Sequence, residues 1–444
     1  MGVQTSTASA AGLDKLVLKN GRVVVFVGVG GCGMRGLATF FLQAGWQVYG
    51  CDARPLAADD KLLKLGLEVC DVDSVPLASW VVRSAAVPAS DDVFEKCIAE
   101  SARPCLYAEF LGEISKIREV VAVAGTHGKT TCTAWIAYGL RQAGVEVGYL
   151  AGAEVPQLGS SSEWGDPSLP LVIESCEYAR SFHHLRPSKV ALINVAAEHP
   201  DTYPGGLPEV TESFAQFLSN TVDGGTIIAG PEAPSQLQQH TSATWMPACP
   251  LSSTTNIGLF GRHNRSNAAL VAAVLRDFDL SDEQILHALS TFTGAARRLE
   301  FLKELNLGNG ESIKLVSDYA HHPTEVAATI NAARERWPQA KINVMFQPHQ
   351  AQRFQDYREL YLACLDEADM VALLPIFRAR DVESCSADSK ELLPDLEARD
   401  PQRLHNFCET IEQSINWTLS NSTAGSVVLC LGAGDIDGYI RKLH

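Results

Sequence analysis

The chain has 444 residues, of which 46% are apolar and 20% are charged, and its net charge is −16 at pH 7. This length exceeds what one hydrophobic core usually serves, so we expect two or three domains. The acidic balance argues against nonspecific binding to nucleic acid or to an anionic membrane, since both need a basic surface. The 12 scattered cysteines form no C-x-x-C pair, and neither an export signal nor a long apolar segment stands out. We therefore expect a protein of the reducing cytoplasm, either a monomer or a homodimer.

The first motif is a glycine loop between a strand and a helix. Residues 22–27 are a continuous apolar run, typical of a strand in a parallel sheet, and the next six read GVGGCG. A helix over 34–43, a strand over 48–51 and Asp52 at its end complete a dinucleotide-type βαβ unit. Alone, this pattern indicates an NAD-binding dehydrogenase. A domain that holds the diphosphate of a nucleotide-linked substrate is the alternative, and it also fits the second phosphate loop downstream.

The second motif, GTHGKTT at residues 125–131, predicts a phosphate site. It follows a buried strand over 120–123 and precedes a helix over 130–143. Gly125 and Gly128 let backbone N–H groups converge on an anion at the helix N-terminus. Lys129 is placed to reach the terminal phosphates of a nucleotide, and the Thr130 hydroxyl to meet the accompanying Mg²⁺. The loop is shorter than the general phosphate-loop pattern, because position 123 is Val.

Acidic and imidazole side chains follow two further strands of this second domain. A strand over 169–173 delivers Glu174, and a strand over 190–195 delivers Glu198 and His199. In open α/β sheets, ligands gather at the carboxyl ends of the strands. Carboxylates suit Mg²⁺, although an imidazole is a less usual ligand for it. We therefore expect a metal-assisted phosphate site here.

Two asparagines and a third set of strands complete the pattern. Asn264 and Asn267 lie three residues apart beside a helix predicted over 268–278, where one of them caps the helix or both read an adenine edge. Strands at 313–316, 342–346, 370–374 and 427–431 predict a further parallel sheet. Ser84, at the end of a strand over 81–86, is either another hydroxyl for the first ligand or a small residue at a strand end.

Taken together, these motifs resemble the Mur ligase family over nearly everything after residue 20. The motifs that carry the resemblance occur in the family's order: GTHGKTT, Glu174 to Glu177, Glu198-His199, GRHN at 261–264, Arg298 to Glu300, and DYAHHPTE at 318–325. Within the family, the sequences GVGGCGM, HPDTYPG and HHPTEV are most similar to the alanine-adding members.

The resemblance implies a three-domain α/β architecture and ATP-driven amide formation. A disordered leader over 1–20 precedes a Rossmann-like UDP-substrate domain over 21–118. A P-loop-type ATP-binding domain over 119–296 and a Rossmann-like amino-acid-binding domain over 297–444 follow. UDP-N-acetylmuramate and L-alanine, or a similar small amino acid, are the implied substrates, and ATP and Mg²⁺ are the implied cofactors.

The resemblance also implies the role of each site residue. Those implied to bind ATP are Gly125, Thr126, His127, Gly128, Lys129, Thr130, Thr131, Asn264, Asn267, Arg298 and Asp318. Those implied to bind the UDP substrate are Gly28, Gly30, Gly31, Gly33, Asp52 and Ser84. His322, His349 and Arg353 are implied to bind the amino acid. Thr130 and Glu174 are implied to bind one Mg²⁺ and His199 a second, and the catalytic set is Lys129, Glu174, His199, Arg298 and Asp318. Arg297 is the alternative to Arg298.

Three departures from the family's pattern bear on the activity. Cys176 stands where the alanine-adding members usually have an acidic residue, and Glu198 stands where they have Asp. After His349 the family usually places arginines that face the carboxylate of the incoming amino acid, but this chain has Gln350 and Gln355, with Arg353 between them. Losing such a clamp weakens or redirects amino-acid binding. The alternatives are therefore a recycling ligase that takes a preformed peptide and a nucleotide-sugar-binding homologue impaired in catalysis.

Overall fold

The computed structural model describes residues 13–58, 60–308, 311–378 and 386–443. Two compact units are formed, one by the chain up to Gly258 together with Ser266–Thr293, the other by Leu259–Arg265 together with the chain from Gly294. Among the described residues, we find no helix with the length and apolar character that crossing a membrane requires. Three parallel-rich sheets account for the strands and confirm the predicted three-domain α/β architecture. Residues 21, 119 and 297 as domain starts stay predictions.

The first sheet has five parallel strands in the order β3-β2-β1-β4-β5. Its central strands are apolar on both faces, because helices cover both sides of a parallel sheet. Its strands are β1 (Val23–Val27), β2 (Gln47–Cys51), β3 (Glu68–Val69), β4 (Trp80–Arg83) and β5 (Arg103–Leu106). Its helices are α1 (Cys32–Gln43), α2 (Lys61–Lys64), α3 (Asp92–Ala99) and α4 (Tyr107–Ile117).

The second sheet has seven strands in the order β12-β11-β10-β6-β9-β7-β8, and only β7 and β8 pair antiparallel. Its strands are β6 (Val120–Ala124), β7 (Gly148–Val155), β8 (Ser160–Glu163), β9 (Leu171–Ser175), β10 (Lys189–Asn194), β11 (Thr226–Glu232) and β12 (Thr244–Pro247). Its helices are α5 (Lys129–Gln142), α6 (Leu207–Ser219), α7 (Arg262–Asp277) and α8 (Asp282–Thr291). β6 lies between β10 and β9, so the loop that follows it is near the middle of the sheet edge.

The third sheet has six strands in the order β13-β14-β18-β15-β16-β17, and β13 pairs antiparallel with β14. Its strands are β13 (Glu300–Gly308), β14 (Glu311–Asp318), β15 (Ile342–Phe346), β16 (Met370–Leu373), β17 (Leu404–Phe407) and β18 (Val427–Leu431). Its helices are α9 (Pro323–Arg336), α10 (Ala351–Asp356), α11 (Arg358–Leu365), α12 (Leu393–Arg399), α13 (Ile411–Asn421) and α14 (Ile436–Ile440).

The first two sheets share one compact unit because α1 packs on the β7–β8 hairpin. A Cβ added at Gly36 would lie 2.2 Å from the Leu150 Cδ1, so a larger residue here would force this buried leucine to shift. The Ser162 hydroxyl donates to the Gly36 carbonyl at 3.1 Å. The rings of Phe40 and Trp164 meet edge to face, with centroids 5.6 Å apart. The two glycine loops are therefore built on a continuous packed core.

Two sequence-based expectations are corrected. Residues 13–20 of the predicted disordered leader are ordered, since Leu13–Leu16 form a 3₁₀ turn and Leu16 accepts a hydrogen bond from the buried Trp80 indole at 2.7 Å. Residues 1–12 of that leader lie outside the described residues. The helix predicted over 268–278 begins at Arg262 instead. No proline interrupts residues 262–267, so the helix continues back to Arg262, directly after Gly261.

Candidate functional site

The loop after β1 closes onto the end of β2. The N–H groups of Gly28 and Val29 both donate to the carbonyl oxygen of Cys51, at 2.9 and 3.0 Å. Gly28 has a φ of 83°, a conformation that favours glycine. Gly31 directly precedes the 12-residue helix α1, whose N-terminus attracts anions. The loop therefore has the strand-turn-helix form that a diphosphate site needs.

Asp52 shapes this loop from within. Its Oδ2 accepts the Gly30 N–H at 2.8 Å, and its Oδ1 accepts the Arg54 N–H at 3.1 Å. A Cβ added at Gly30 would lie 2.9 Å from the same Oδ2, so the carboxylate and the loop fit only with glycine there. Asp52 thus accepts the Gly30 N–H, one of the groups predicted to bind the UDP diphosphate. A contact between Asp52 and a uridine stays a prediction.

Ser84 and Gly33 adjoin the same loop. Ser84 follows β4, and a Cβ added at Gly28 would lie 3.0 Å from the Ser84 Cβ. A Cβ added at Gly33 would lie 2.8 Å from the ring of Tyr107, the first residue of α4. The structure thus brings the turns after β1 and β4 together, and binding of the UDP substrate by Ser84 stays a prediction. Tyr107 is a neighbour that sequence reasoning missed, because the packing of α1 against α4 has no short-range signal.

The second loop, residues 125–128, is fastened to the end of β10. The Thr126 hydroxyl accepts the Ala196 N–H at 2.9 Å, and the His127 N–H donates to the Asn194 side-chain oxygen at 3.0 Å. Gly128 has a φ of 84° and directly precedes α5. Thr130 and Thr131 are buried in the first turn of that helix. The strand, loop and helix predicted for GTHGKTT are confirmed.

The Lys129 ammonium is fully engaged inside the loop. It donates to the carbonyl oxygens of Gly125 and Thr126 at 2.8 and 2.9 Å, and it pairs with the Glu177 carboxylate at 2.8 Å. Burial lowers the pKa of Lys129, but the attraction of Glu177 outweighs burial and holds that pKa above its usual value. The side chain is therefore a permanent cation at the centre of the loop.

Glu177 is the central acidic residue of the site, and it had no role in the sequence-based assignment. It is 1% exposed, and its Oε1 lies 3.3 Å from the His199 Nε2 while Oε2 meets Lys129. Burial raises the pKa of Glu177, but the neighbouring Lys129 and His199 outweigh burial and hold it below its usual range. The signal for this residue was its place four residues after the last apolar residue of β9, in the stretch Glu174 to Glu177.

His199 is held by its backbone as well as by Glu177. Its φ is 54°, a left-handed conformation that is uncommon outside glycine and typical of functional turns. Its carbonyl oxygen accepts the N–H groups of Thr202 and Tyr203 at 2.9 and 2.8 Å. Its ring meets that of Tyr178 edge to face, with centroids 5.1 Å apart. The imidazole is thus fixed beside Glu177, and binding of a second Mg²⁺ by His199 stays a prediction.

A buried hydrogen-bond network supports Glu177 from behind. The Tyr203 hydroxyl donates to the Glu177 carbonyl at 2.6 Å and lies 3.1 Å from the Ser213 hydroxyl. That hydroxyl is 3.0 Å from the His183 Nε2. Burial raises the pKa of Tyr203 and lowers that of His183, so both groups are neutral near pH 7. Tyr203 therefore positions the strand end that carries Glu177.

We expect Tyr203→Phe to lower the free energy of unfolding by about 1 kcal/mol, because the hydrogen bond to the buried Glu177 carbonyl is lost while that carbonyl keeps the Arg180 N–H at 2.9 Å. ADP formation should fall as well, since the acidic side chain shifts. Urea denaturation and an ADP-release assay measure the two effects. The matched control is Tyr138→Phe, whose hydroxyl bonds Thr291 at 3.0 Å, because Thr291 keeps its bond to His287. Equal loss of ADP formation in both variants would contradict the positioning role.

Thr130 and Glu174 form a pair of oxygen donors at the first turn of α5. The Thr130 hydroxyl lies 3.1 Å from the Glu174 Oε1, and the Gly152 N–H donates to Oε2 at 2.6 Å. A Cβ added at Gly152 would overlap that carboxylate, at 2.6 Å from Oε2. Hydroxyl and carboxylate oxygens are the ligands that Mg²⁺ prefers, so these residues fit the predicted ion. Its binding stays a prediction.

The two asparagines lie within α7 instead of capping it. A Cβ added at Gly128 would lie 2.9 Å from the Asn267 side-chain oxygen, so Asn267 packs directly against the second loop. Asn264 belongs to the other compact unit, where its side-chain nitrogen donates to the Phe260 carbonyl at 2.7 Å. Both side chains are buried. Contact of Asn264 and Asn267 with adenine stays a prediction.

In the second unit, Asp318 holds the turn that carries Arg298. Its carboxylate accepts the N–H groups of Leu299 and Ala320 at 2.7 and 2.8 Å, and burial raises its pKa. Arg297 and Leu299 both have left-handed backbones, with φ of 58° and 46°. Arg297 donates to the Gly432 carbonyl at 2.5 Å, so it fastens another loop. This structural task for Arg297 favours Arg298 as the ligand-binding arginine.

Of the residues predicted to meet the amino acid, His349 and Arg353 lie at α10, and His322 lies at the start of α9. His322 caps α9 through its Nδ1, which accepts the Thr324 N–H at 3.3 Å. His349 stacks on Phe377, with ring centroids 5.9 Å apart, and Arg353 is buried in α10. His322 therefore has a helix-capping task that the sequence-based assignment did not include. Amino-acid binding by these three residues stays a prediction.

Two family models match the chain. The model of the Mur ligase family, catalytic domain, matches residues 23–118, and that of the Mur ligase, glutamate ligase domain, matches residues 297–434. Together these matches span more than half of the chain. They include the first glycine loop and the segment from Arg297 to Gly434.

Solved structures share the fold. The UDP-N-acetylmuramate-alanine ligase MurC of Thermotoga maritima is 22% identical with a TM-score of 0.76, covering 94% of this chain and 97% of that one. A murein peptide ligase of Psychrobacter arcticus is 22% identical with a TM-score of 0.69, covering 94% and 96%. The UDP-N-acetylmuramate:L-alanyl-γ-D-glutamyl-meso-diaminopimelate ligase of Neisseria meningitides is 26% identical with a TM-score of 0.54, covering 62% and 99%. The chain thus has the fold of both alanine and peptide ligases.

Proposed function

Since the chain belongs to the Mur ligase family of ATP-dependent, amide-forming ligases, we propose that it joins UDP-N-acetylmuramate to L-alanine in the synthesis of peptidoglycan precursors. The observation that carries the proposal is the presence of two glycine loops of different kinds in one compact unit. One follows β1 and suits a diphosphate, and the other carries Lys129 and suits a triphosphate. A dehydrogenase has no use for the second loop.

The proposed reaction transfers a phosphoryl group and then an acyl group. The carboxylate of the nucleotide sugar attacks the γ-phosphorus of ATP, so that ADP leaves and an acyl phosphate forms. The amine of the amino acid then attacks the acyl carbon, and inorganic phosphate leaves. In such transfers the protein mainly positions the reactants and neutralises charge. Lys129 supplies a fixed cation for this purpose, and Glu177 and the loop carbonyls orient it.

Thr130 and Glu174 are the residues that would hold Mg²⁺, because their oxygens lie 3.1 Å apart. When bound, the ion supplies positive charge to the phosphate oxygens. The Gly152 N–H fixes one Glu174 oxygen at 2.6 Å and thereby sets the direction of the other. Arg298, carried on the turn that Asp318 holds, is proposed to bind ATP as well.

The second candidate is a recycling ligase that attaches a preformed peptide to the same nucleotide sugar. The observation in its favour is Gln350, which stands where the family usually has an arginine for the carboxylate of the amino acid. A donor with a longer body depends less on that single clamp. In the proposed alanine ligase, Arg353 is the guanidinium that remains in this segment to bind the carboxylate of the amino acid. It lies in α10 and is only 8% exposed.

A substrate screen separates the two candidates. ADP release is measured with UDP-N-acetylmuramate and each of L-alanine, glycine, L-serine and the stem tripeptide. We expect the highest kcat/KM with L-alanine. Stimulation by the tripeptide alone would replace the alanine ligase by the recycling ligase. A thermal shift with UDP-N-acetylmuramate and no turnover with any donor would instead identify a binding homologue, for which Cys176 is the supporting departure.

We expect Gln350→Arg to lower the apparent KM for a small amino acid by about tenfold, the equivalent of one added hydrogen bond to a charged group. Gln350 already has a left-handed backbone with a φ of 67°. Arginine also carries a Cβ, so replacing glutamine by arginine adds no new backbone strain. Steady-state kinetics with L-alanine give the value. Gln352→Arg is the matched control, because it adds the same charge at an exposed position of α10. An unchanged or higher KM in Gln350→Arg would exclude the lost clamp as the explanation.

A further inference from the structure

Cys51 and Cys70 lie opposite each other where β2 and β3 end. These strands pair in parallel, with Tyr49 opposite Glu68 and Gly50 opposite Val69. The Cys70 N–H donates to the Gly50 carbonyl at 3.1 Å, so the pairing continues to the two cysteines. Neighbouring strands are about 5 Å apart, and opposite residues direct their side chains to the same face. This separation is within the Cα range of disulfides.

The register places the two thiols side by side on one face of the sheet. They hydrogen-bond to each other, which raises the pKa of Cys51 and lowers that of Cys70, while burial raises both. Cys70 is 3% exposed and Cys51 is half-buried at the mouth of the same apolar cluster. Cys51 is thus the thiol that solvent reaches, and Cys70 is the thiol with the greater thiolate character.

The pair is joined directly to the first glycine loop. The Cys51 carbonyl accepts the N–H groups of Gly28 and Val29, and the next residue, Asp52, accepts the Gly30 N–H. Three consecutive N–H groups of the loop therefore depend on the position of residues 51 and 52. Any covalent change at Cys51 is transmitted to the loop through these bonds.

We propose that Cys51 and Cys70 form a reversible disulfide that restrains the first glycine loop and weakens its binding of a nucleoside diphosphate. A hydroperoxide oxidises one thiol of the pair to a sulfenic acid, and water or an alcohol leaves. The other thiol attacks that sulfur as its thiolate, the S–S bond forms, and the sulfenic oxygen leaves as water. The two thiols give up two electrons and two protons in total, and the peroxide bond takes them up. A disulfide needs its sulfurs about 2.05 Å apart, so bond formation pulls the end of β2 toward β3 and away from the loop.

Peptide mapping tests the chemistry without any assay of activity. The folded protein is treated with hydrogen peroxide, unfolded in the presence of an alkylating reagent, digested and analysed by mass spectrometry. We expect a peptide linked through Cys51 and Cys70 that dithiothreitol removes. Cys51→Ser and Cys70→Ser should each abolish it. Cys97→Ser should retain it, because Cys97 lies in the same apolar cluster but on α3, outside the pairing of β2 with β3.

Two results of the mapping would overturn the disulfide. One is full alkylation of Cys51 and Cys70 under conditions that oxidise the exposed Cys249. The other is a linkage of either residue to Cys97. Because the wild-type chain alone gives this answer, a variant that fails to fold does not affect it.

Calorimetry with UDP tests the effect on the loop, which rests on the proposed function. We expect oxidation to weaken UDP binding about tenfold in the wild type, the equivalent of one hydrogen bond to a phosphate, and to leave Cys51→Ser unchanged. Equal UDP affinity of the oxidised and reduced protein, with the disulfide present, would overturn the restraint alone. If the reduced protein does not bind UDP at all, the assignment of the first glycine loop to a diphosphate is wrong. The mapping result still decides whether the disulfide forms.

Discussion

Lys129→Ala is expected to lower ADP formation by about a thousandfold or more, while binding of UDP to the first glycine loop persists. The ammonium lies at the centre of the second loop and holds its charge through Glu177. Removing a charge that stabilises a transferring phosphoryl group typically costs this much. The first loop depends on bonds from Cys51 and Asp52, which the substitution does not touch. ADP release and UDP calorimetry on the same preparation measure the two effects.

A matched variant separates lost chemistry from lost folding. Lys129→Ala leaves Glu177 buried beside His199 without its main counter-charge. An unpaired buried charge of this kind lowers the free energy of unfolding by about 3–5 kcal/mol. The double variant Lys129→Met with Glu177→Gln removes both charges and should fold better, yet it should remain inactive. Turnover near the wild-type rate in either variant would refute the assignment of the second loop to ATP.

The second large effect is expected for Glu177→Gln, which keeps the shape of the side chain and removes its charge. We expect a loss of about 3 kcal/mol in the free energy of unfolding at pH 7, because Lys129 stays buried without its carboxylate partner. ADP formation should fall about a hundredfold, since Lys129 and His199 both lose the group that orients them. Urea denaturation and ADP release provide the two values.

The pH dependence of stability distinguishes this explanation from a packing defect. The pKa of Glu177 is lower in the folded protein than in the unfolded chain. Its contribution is therefore complete above the unfolded value of about 4.5 and is lost as the pH falls through the folded value. The wild type should approach the variant in stability as the pH falls below 4.5 and through the lower folded-state pKa of Glu177. Glu209→Gln is the control, because its pair with Arg180 is partly exposed and contributes only about 0–1 kcal/mol. A constant difference between wild type and Glu177→Gln at all pH values would contradict the electrostatic explanation.

Both glycine loops were predictable because their backbone geometry requires particular residues. Gly28 and Gly128 have left-handed backbones, and Gly30 leaves room for Asp52, so sequence alone marks the turns. The apolar runs of β1, β6, β15 and β18 marked strands that are covered on both faces. The edge strand β12 and the antiparallel β13 escaped prediction because edge strands alternate or mix polar residues.

The network around the second loop was not predictable in the same way. Glu177, Tyr203 and Ser213 meet through tertiary packing of β9, α6 and the turn between β10 and α6, and no short spacing connects them. The task of Arg297 at Gly432 likewise depends on a contact between distant segments, whereas the capping bond of His322 is a local one to Thr324. The residue types at these positions indicated which groups can donate, accept or carry charge. Which of these side chains contact one another depends on the tertiary fold.

The packing of α1 on the β7–β8 hairpin also determines how long a ligand must be to reach from one glycine loop to the other. Gly36 brings the helix against Leu150 and Ser162, so the core between the two loops is closely packed and resists stretching. The span from the diphosphate loop to Lys129 is thereby a fixed distance within one compact unit. A ligand anchored by its diphosphate presents its carboxylate to the γ-phosphate only when the link between the two has the matching length. Under the proposed function, this fixed spacing selects substrates by their length, separately from the side chains that contact them.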